Sequence, residues 1–193
     1  HSSTETDLVT RSSNVRGIAL DTISNIIYFA DGGTLAQGKG SYRASLAAPP
    51  VTEVAATKIA STPTGGGFTP QPNSLLLDRL NNFIYWSDYA NPGGRIQRAS
   101  TTAGSYPVAP TLVYSGASVR GISRDQILNI LYWIEPVSLK IRKGSLAVVP
   151  IAAPIDVVTG LTFFPRNIVF GSSTNPLPVL FTLINSLCSS GTV

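Results

Sequence analysis

The chain has 193 residues, of which 43% are apolar and only 12% are Asp, Glu, Lys or Arg. That length accommodates one domain with a substantial core, and the apolar content excludes an intrinsically disordered chain. The net charge of +4 comes from 14 basic residues scattered along the sequence. They form no concentrated stripe with interleaved aromatics, which excludes a nucleic-acid groove.

The first expected strand is Asp7-Leu-Val-Thr10, which matches Thr111-Leu-Val-Tyr114 further along. A first repeat unit follows. Arg16 to Leu20 leads into Asp21, a polar turn covers Thr22 to Asn25, and the aromatic strand Ile27-Tyr28-Phe29-Ala30-Asp31 comes next. Ser41 to Ser45 and Val51 to Ala55 are expected as its third and fourth strands. Lys58 to Pro72 contains three consecutive glycines and three prolines, which argue for a surface loop.

The second unit repeats the pattern with Ser74 to Leu77, Asp78, the turn Arg79 to Asn82, and Ile84-Tyr85-Trp86-Ser87-Asp88. Arg95 to Ser100 and Thr111 to Tyr114 complete it. The third runs from Arg120 to Ser123 through Asp125, the turn Gln126 to Asn129, Leu131-Tyr132-Trp133-Ile134-Glu135, Lys140 to Ser145 and Ile155 to Val158. A fourth begins at Pro165 to Phe170, has Gly171 at the marker position, and continues with Val179 to Ile184, where Phe181 replaces Tyr. In the first three units the step from marker Asp to Tyr is seven residues. Short runs bounded by Gly, Pro, Asn and Ser read as antiparallel strands joined by hairpins, and no stretch keeps a helical period.

The expected architecture is therefore all-β: a single β-propeller domain over 1–193, with units near 15–57, 72–115, 119–159 and 165–193. The last is completed by strand 7–10, closing the ring without free edges. A fold of four units is either a small ring or part of a larger propeller.

Alternation along the second strand sends Tyr and the next aromatic to opposite faces of a blade. Tyr28, Phe29, Tyr85, Trp86, Tyr132 and Trp133 are thus expected between blades, each burying on the order of 150–250 Å². The acid ending each second strand is expected to clamp a base on the third: Asp31 with Arg43, Asp88 with Arg98, and Glu135 with Lys143. Asp21, Asp78 and Asp125 are expected to accept backbone N–H bonds in the turns that they begin. Five residues before each marker stand Arg16, Asn73, Arg120 and Arg166. They are expected to ring one mouth of the channel and to bind carboxylate or sulfate groups.

The tetrapeptide Tyr85-Trp86-Ser87-Asp88 and the segment Arg16-Gly-Ile-Ala-Leu-Asp21 resemble the YWTD repeat of the low-density-lipoprotein-receptor β-propeller class. The resemblance covers roughly residues 7 to 185, and that class typically closes with six blades. It implies a non-catalytic extracellular module that binds a protein partner or copies of itself. Low charge, absence of Met and a start at His1 favour an exported chain in the same way. With a single cysteine, Cys188, no internal disulfide forms. No apolar run approaches the roughly 20 residues of a spanning helix, so no membrane insertion is expected.

Two alternatives accompany this expectation. A carbohydrate-binding propeller would expose aromatics on loops, with Tyr89, Tyr106 and Phe68 as candidates. An enzyme similar to strictosidine synthase or gluconolactonase would, by that resemblance, hold a metal at the channel centre through carboxylates and amides. Against an enzyme, the single His is His1, no G-x-S-x-G elbow occurs, and Gly65 to Gly67 lacks the Lys of a phosphate loop. No cofactor is expected, although calcium held by loop oxygens is compatible with the sequence.

Overall fold

Polar turns ending in Asn set the hairpins from which this fold is built. The computed structural model describes residues 9–10, 14–33, 38–47, 51–52, 56–61, 71–89, 93–102, 104–162, 165–170 and 181–184. After β1 (Val9–Thr10), the first unit contains β2 (Val15–Asp21), β3 (Ile26–Asp31), β4 (Gly40–Ser45), β5 (Val51–Thr52) and β6 (Thr57–Ser61). The second contains β7 (Pro72–Asp78), β8 (Phe83–Asp88), β9 (Gly94–Ser100) and β10 (Thr111–Gly116). The third contains β11 (Ile122–Asp125), β12 (Ile130–Glu135), β13 (Lys140–Ser145) and β14 (Ile155–Val158), and β15 (Asn167–Phe170) pairs with β16 (Phe181–Ile184) in a final hairpin.

Three units are four-stranded antiparallel sheets, ordered β2-β3-β4-β6, β7-β8-β9-β10 and β11-β12-β13-β14. The result is an all-β, partial propeller. Each hairpin between first and second strands turns in the same way. Asp21 Oδ1 accepts N–H bonds from Ile23 and Ser24, Asp78 Oδ1 from Asn81, and Asp125 Oδ1 from Ile127 and Leu128. Asn25, Asn82 and Asn129 then take φ of 52°, 56° and 53°, a left-handed conformation that Asn tolerates better than most residues.

Two expectations about the first unit are corrected. Its fourth strand is Thr57–Ser61, all but Thr57 in the stretch expected to be a loop, and not Val51 to Ala55. The cause is burial: Ile59 and Ala60 are wholly enclosed, and the Ile59 carbonyl accepts a 2.8 Å bond from Val108 N of the second unit. Val51–Thr52, displaced from the sheet, pairs in parallel with Val9–Thr10. The N-terminal strand therefore does not complete the last unit as expected. Asp7, Leu8, residues 62–70, Gly171 and Val179 lie outside the described residues.

The aromatics divide between faces as alternation requires. Tyr28, Ile84 and Trp86 meet between the first and second sheets, with Leu75 and Ile59. Tyr85, Tyr114, Ile122 and Trp133 meet between the second and third. Tyr132 packs with Ile168 between the third sheet and the final hairpin. The Tyr114 and Trp133 ring centroids are 4.5 Å apart. Each Tyr faces the following unit, Trp86 and Trp133 face the preceding one, and Phe29 packs on Tyr42 within its own unit.

The first strands approach one another closely. A Cβ on Gly17 would lie 2.5 Å from the Asn73 carbonyl oxygen, and one on Gly121 would lie 2.7 Å from Asn167 Cα. Between these contacts, Ile122 N donates to Ser74 Oγ at 3.3 Å. The apolar residue three before each marker shows the effect of this stacking. Leu75, Ile122 and Ile168 are 8%, 4% and 2% exposed, whereas Ile18, with no unit stacked before it among the described residues, is 62% exposed.

Replacing Trp133 by Ala removes a fully buried ring from between two sheets and is expected to cost about 3–5 kcal/mol. Urea unfolding measures this directly; an unchanged midpoint with an unchanged slope would show that the ring contributes no packing.

Candidate functional site

The first strands of all four units converge on a pocket of about 490 Å³, lined by Arg16, Asn73, Ser74, Ser123, Arg166 and Asn167 together with apolar Ile18, Leu75, Ile122 and Ile168. Gly17 makes the position possible. Without its close approach to Asn73, β2 would stand off from β7 and carry Arg16 away from the cleft.

Arg16 Nε donates to Asn14 Oδ1 at 3.3 Å, and its Nη1 donates to Gln71 Oε1 at 3.4 Å. These neutral partners orient the guanidinium without cancelling its charge. Arg166 is exposed. The ion pairs among the described residues join Arg79 to Asp21, Arg124 to Asp78, Lys140 to Asp156, and Arg142 to Glu135 and Asp156. None involves Arg16 or Arg166, and no carboxylate lines the pocket. Two guanidinium groups and two amides therefore share one cleft without an acidic counter-ion among the described residues.

The expected ring of four forms in part. Arg16, Asn73 and Arg166 line the pocket, while Arg120 turns away and places its guanidinium 4.3 Å from the centre of the Tyr89 ring. Arg43 similarly lies 4.7 Å over Tyr106 and donates to the Thr101 carbonyl at 3.4 Å. Tyr89 and Tyr106 are thus covered by cations, and Phe68 lies outside the described residues. The carbohydrate-binding alternative has no open aromatic among the two that can be located.

The three expected acid–base clamps are corrected by register. Arg43 stands opposite Tyr28, Arg98 opposite Tyr85 and Lys143 opposite Tyr132, whereas Asp31, Asp88 and Glu135 stand opposite Gly40, Arg95 and Lys140. Acid and base differ by an odd number of positions, so alternation puts them on opposite faces of the blade. Arg98 instead stacks 4.4 Å over Phe83.

Glu135 is held by the diagonal neighbour Arg142 at 3.3 Å, by Tyr114 Oη at 2.5 Å, and by Trp133 Nε1 at 3.3 Å. Burial and the adjacent Glu135 carboxylate push the Tyr114 phenol up to about 12. Asp88, by contrast, is fully buried, and neither of its oxygens meets a donor at bonding geometry among the described residues. Its carboxyl is pushed up to about 7 by burial, which nearby Trp86, Arg95 and Lys39 only partly oppose.

Sequence reasoning missed Asn167, Gln71, Arg124 and Arg142. Arg124 had a visible signal, because it fills a slot occupied by Leu20 and Leu77 in the other units. It pairs with Asp78 of the preceding unit, both being buried.

The described residues contain no group of three or more His, Cys, Asp or Glu placed to hold a metal. A channel-centred cation, as enzyme-type propellers imply, does not fit this mouth. The pocket offers amide and hydroxyl oxygens but no carboxylate, and two guanidinium groups oppose a positive ion.

No protein-family model matches the chain. Among solved structures, it is similar to a gluconolactonase from Xanthomonas campestris, with TM-score 0.63, 14% identity, and coverage of 85% of this chain and 55% of that one. A chain of a nidogen/laminin complex gives TM-score 0.60 and 20% identity over 83% of this chain and 54% of that one. A Bacteroides thetaiotaomicron protein of unknown function gives TM-score 0.55 and 9% identity over 82% and 36%. The shared feature is the propeller fold, and this chain spans about half the length of the first two.

These results correct the functional expectation. The YWTD-like units, the low charge and the lack of a catalytic constellation in the sequence point to a non-catalytic binding or assembly module. A gluconolactonase carries the same arrangement of blades, so the fold no longer supports the exclusion of an enzyme. What stands is the coarser statement of a propeller-like fold of gluconolactonase and nidogen type. Among the described residues, no helix is long and apolar enough to cross a membrane.

Asp88 gives a pH test of the buried site. Folding raises its pKa from 3.8 to about 7, so between these values the folded protein holds a proton that the unfolded chain has released. Stability from this group is full below the lower value and is lost as pH rises through the upper one, by at most ~4 kcal/mol. Asp88→Asn is expected to flatten the decline in melting temperature between about pH 4 and pH 7. Parallel curves for variant and parent would show that Asp88 is ionised throughout.

Proposed function

We propose that this chain carries the substrate mouth of a propeller enzyme resembling the gluconolactonases, acting on a small oxygen-rich carbonyl compound. The observation that carries this reading is the convergence of first strands from all four units on one polar pocket of about 490 Å³. Propeller similarity to a gluconolactonase supports it at the level of fold.

The pocket's own groups suggest how it would act. Asn73 and Asn167 supply amide donors and acceptors suited to hydroxyl groups. Arg16 and Arg166 supply fixed positive charge where a carbonyl oxygen gains negative charge as water adds. Arg16 is preoriented by Asn14 and Gln71, so little ordering accompanies that stabilisation. The sparsely charged surface supports an extracellular setting for such a protein.

Hydrolysis of a sugar δ-lactone, followed by proton release in weak buffer, tests the proposal. Saturable turnover above the buffer rate is expected, falling roughly tenfold or more in Arg16→Ser. No turnover of lactones or aryl esters above the uncatalysed rate would overturn the enzymatic reading.

A further inference from the structure

The geometry points to an anion as the ligand of this mouth: we infer that the pocket binds a small compound bearing carboxylate groups, and binds it without a metal. This deepens the proposed function by naming a ligand class, and it rests on that function only in treating the ligand as a substrate.

Three observations carry the inference. First, Arg16 and Arg166 reach the same cleft from the first and fourth units, so their charges add at one place. Second, neither is neutralised by a carboxylate among the described residues, whereas Arg79, Arg124 and Arg142 all are. Third, every side chain lining the pocket is cationic, neutral polar or apolar. Arg43, Arg98 and Arg120 lie over aromatic rings instead, so among the described residues neither mouth arginine has an acidic partner or a ring on which it stacks.

A guanidinium offers parallel N–H donors that match the two oxygens of a carboxylate. Two such groups from opposite units suit a ligand with two acidic ends, or one acid and a polarised carbonyl. Asn73 and Asn167 then remain for hydroxyl groups between them. Ile18, Leu75, Ile122 and Ile168 form the less polar part of the lining, which raises the value of each charged contact. A divalent cation would meet the same two positive groups and gain no charged ligand in return.

Citrate serves as the probe, titrated calorimetrically into the 193-residue protein in dilute buffer without added divalent ions. Saturable binding is expected, weakening roughly tenfold or more in each of Arg16→Ser and Arg166→Ser. It should also weaken at about 0.5 M sodium chloride, which screens exposed charges. Both arginines are on the surface, so the variants should melt with the parent. The conservative Arg16→Lys should restore part of the affinity but not the bidentate contact.

Citrate binding that is absent, or indifferent to both substitutions, overturns the inference. A calcium-induced rise in melting temperature that Asn73→Ala abolishes overturns it equally, because the mouth would then be a cation site. Lactone turnover without citrate binding sinks this inference and leaves the enzymatic reading standing. Citrate binding without turnover does the reverse.

Discussion

The close stacking of successive first strands is the constraint on which the rest of the structure depends. Gly17 sits against Asn73 to Leu75, Ser74 accepts a bond from Ile122, and Gly121 sits against Asn167 and Ile168. Such an approach leaves no room for side chains between backbones, so bulk is moved outward along each blade. There the aromatic pairs fill the widening wedge, and both faces of each central sheet become core. The same constraint gathers the start of every unit at one end of the channel. The pocket is thus a direct product of how the blades pack.

Buried charge is handled differently from unit to unit. Glu135 is surrounded by Tyr114, Trp133, Ser138 and Arg142, and Asp78 is paired with Arg124 across a blade boundary. Asp88 occupies the same position in the repeat as Glu135, yet burial disfavours its charged form. A carboxylate enclosed without donors is costly, and taking up a proton relieves most of that cost. Equivalent positions in the repeat therefore carry different electrostatic states, decided by neighbours and not by the acid.

Much of the fold was legible because repetition and alternation act locally. The marker Asp residues, the Asn-terminated turns and the aromatic strands all lie where spacing puts them. The clamps failed for a reason that was also legible in principle. Counting parity from the hairpin Glu135-Pro136 to Lys140 places Arg142, not Lys143, on the acid's face. The choice of Thr57–Ser61 over Val51 to Ala55 depended on which segment the second unit would enclose, and that is a long-range fact. At the mouth, Arg16, Asn73 and Arg166 could be aligned from sequence, but the capture of Arg120 by Tyr89 could not. Function was the least legible, since a propeller scaffold is indifferent to the chemistry placed on it.

The uncovered flank at Ile18 and Leu20 bears on how the arc holds together. In a stack whose units are stabilised by nearest neighbours, the units at its two ends have the smallest cooperative reserve. Fraying of amide protection is therefore expected at β2 and at the final hairpin, and to diminish towards the second and third units. Because Arg16 belongs to β2 and Arg166 immediately precedes β15, a molecule bridging them would act as a clip between the two ends of the arc. Occupancy of the mouth and rigidity of the first blade then become linked quantities, each raising the other.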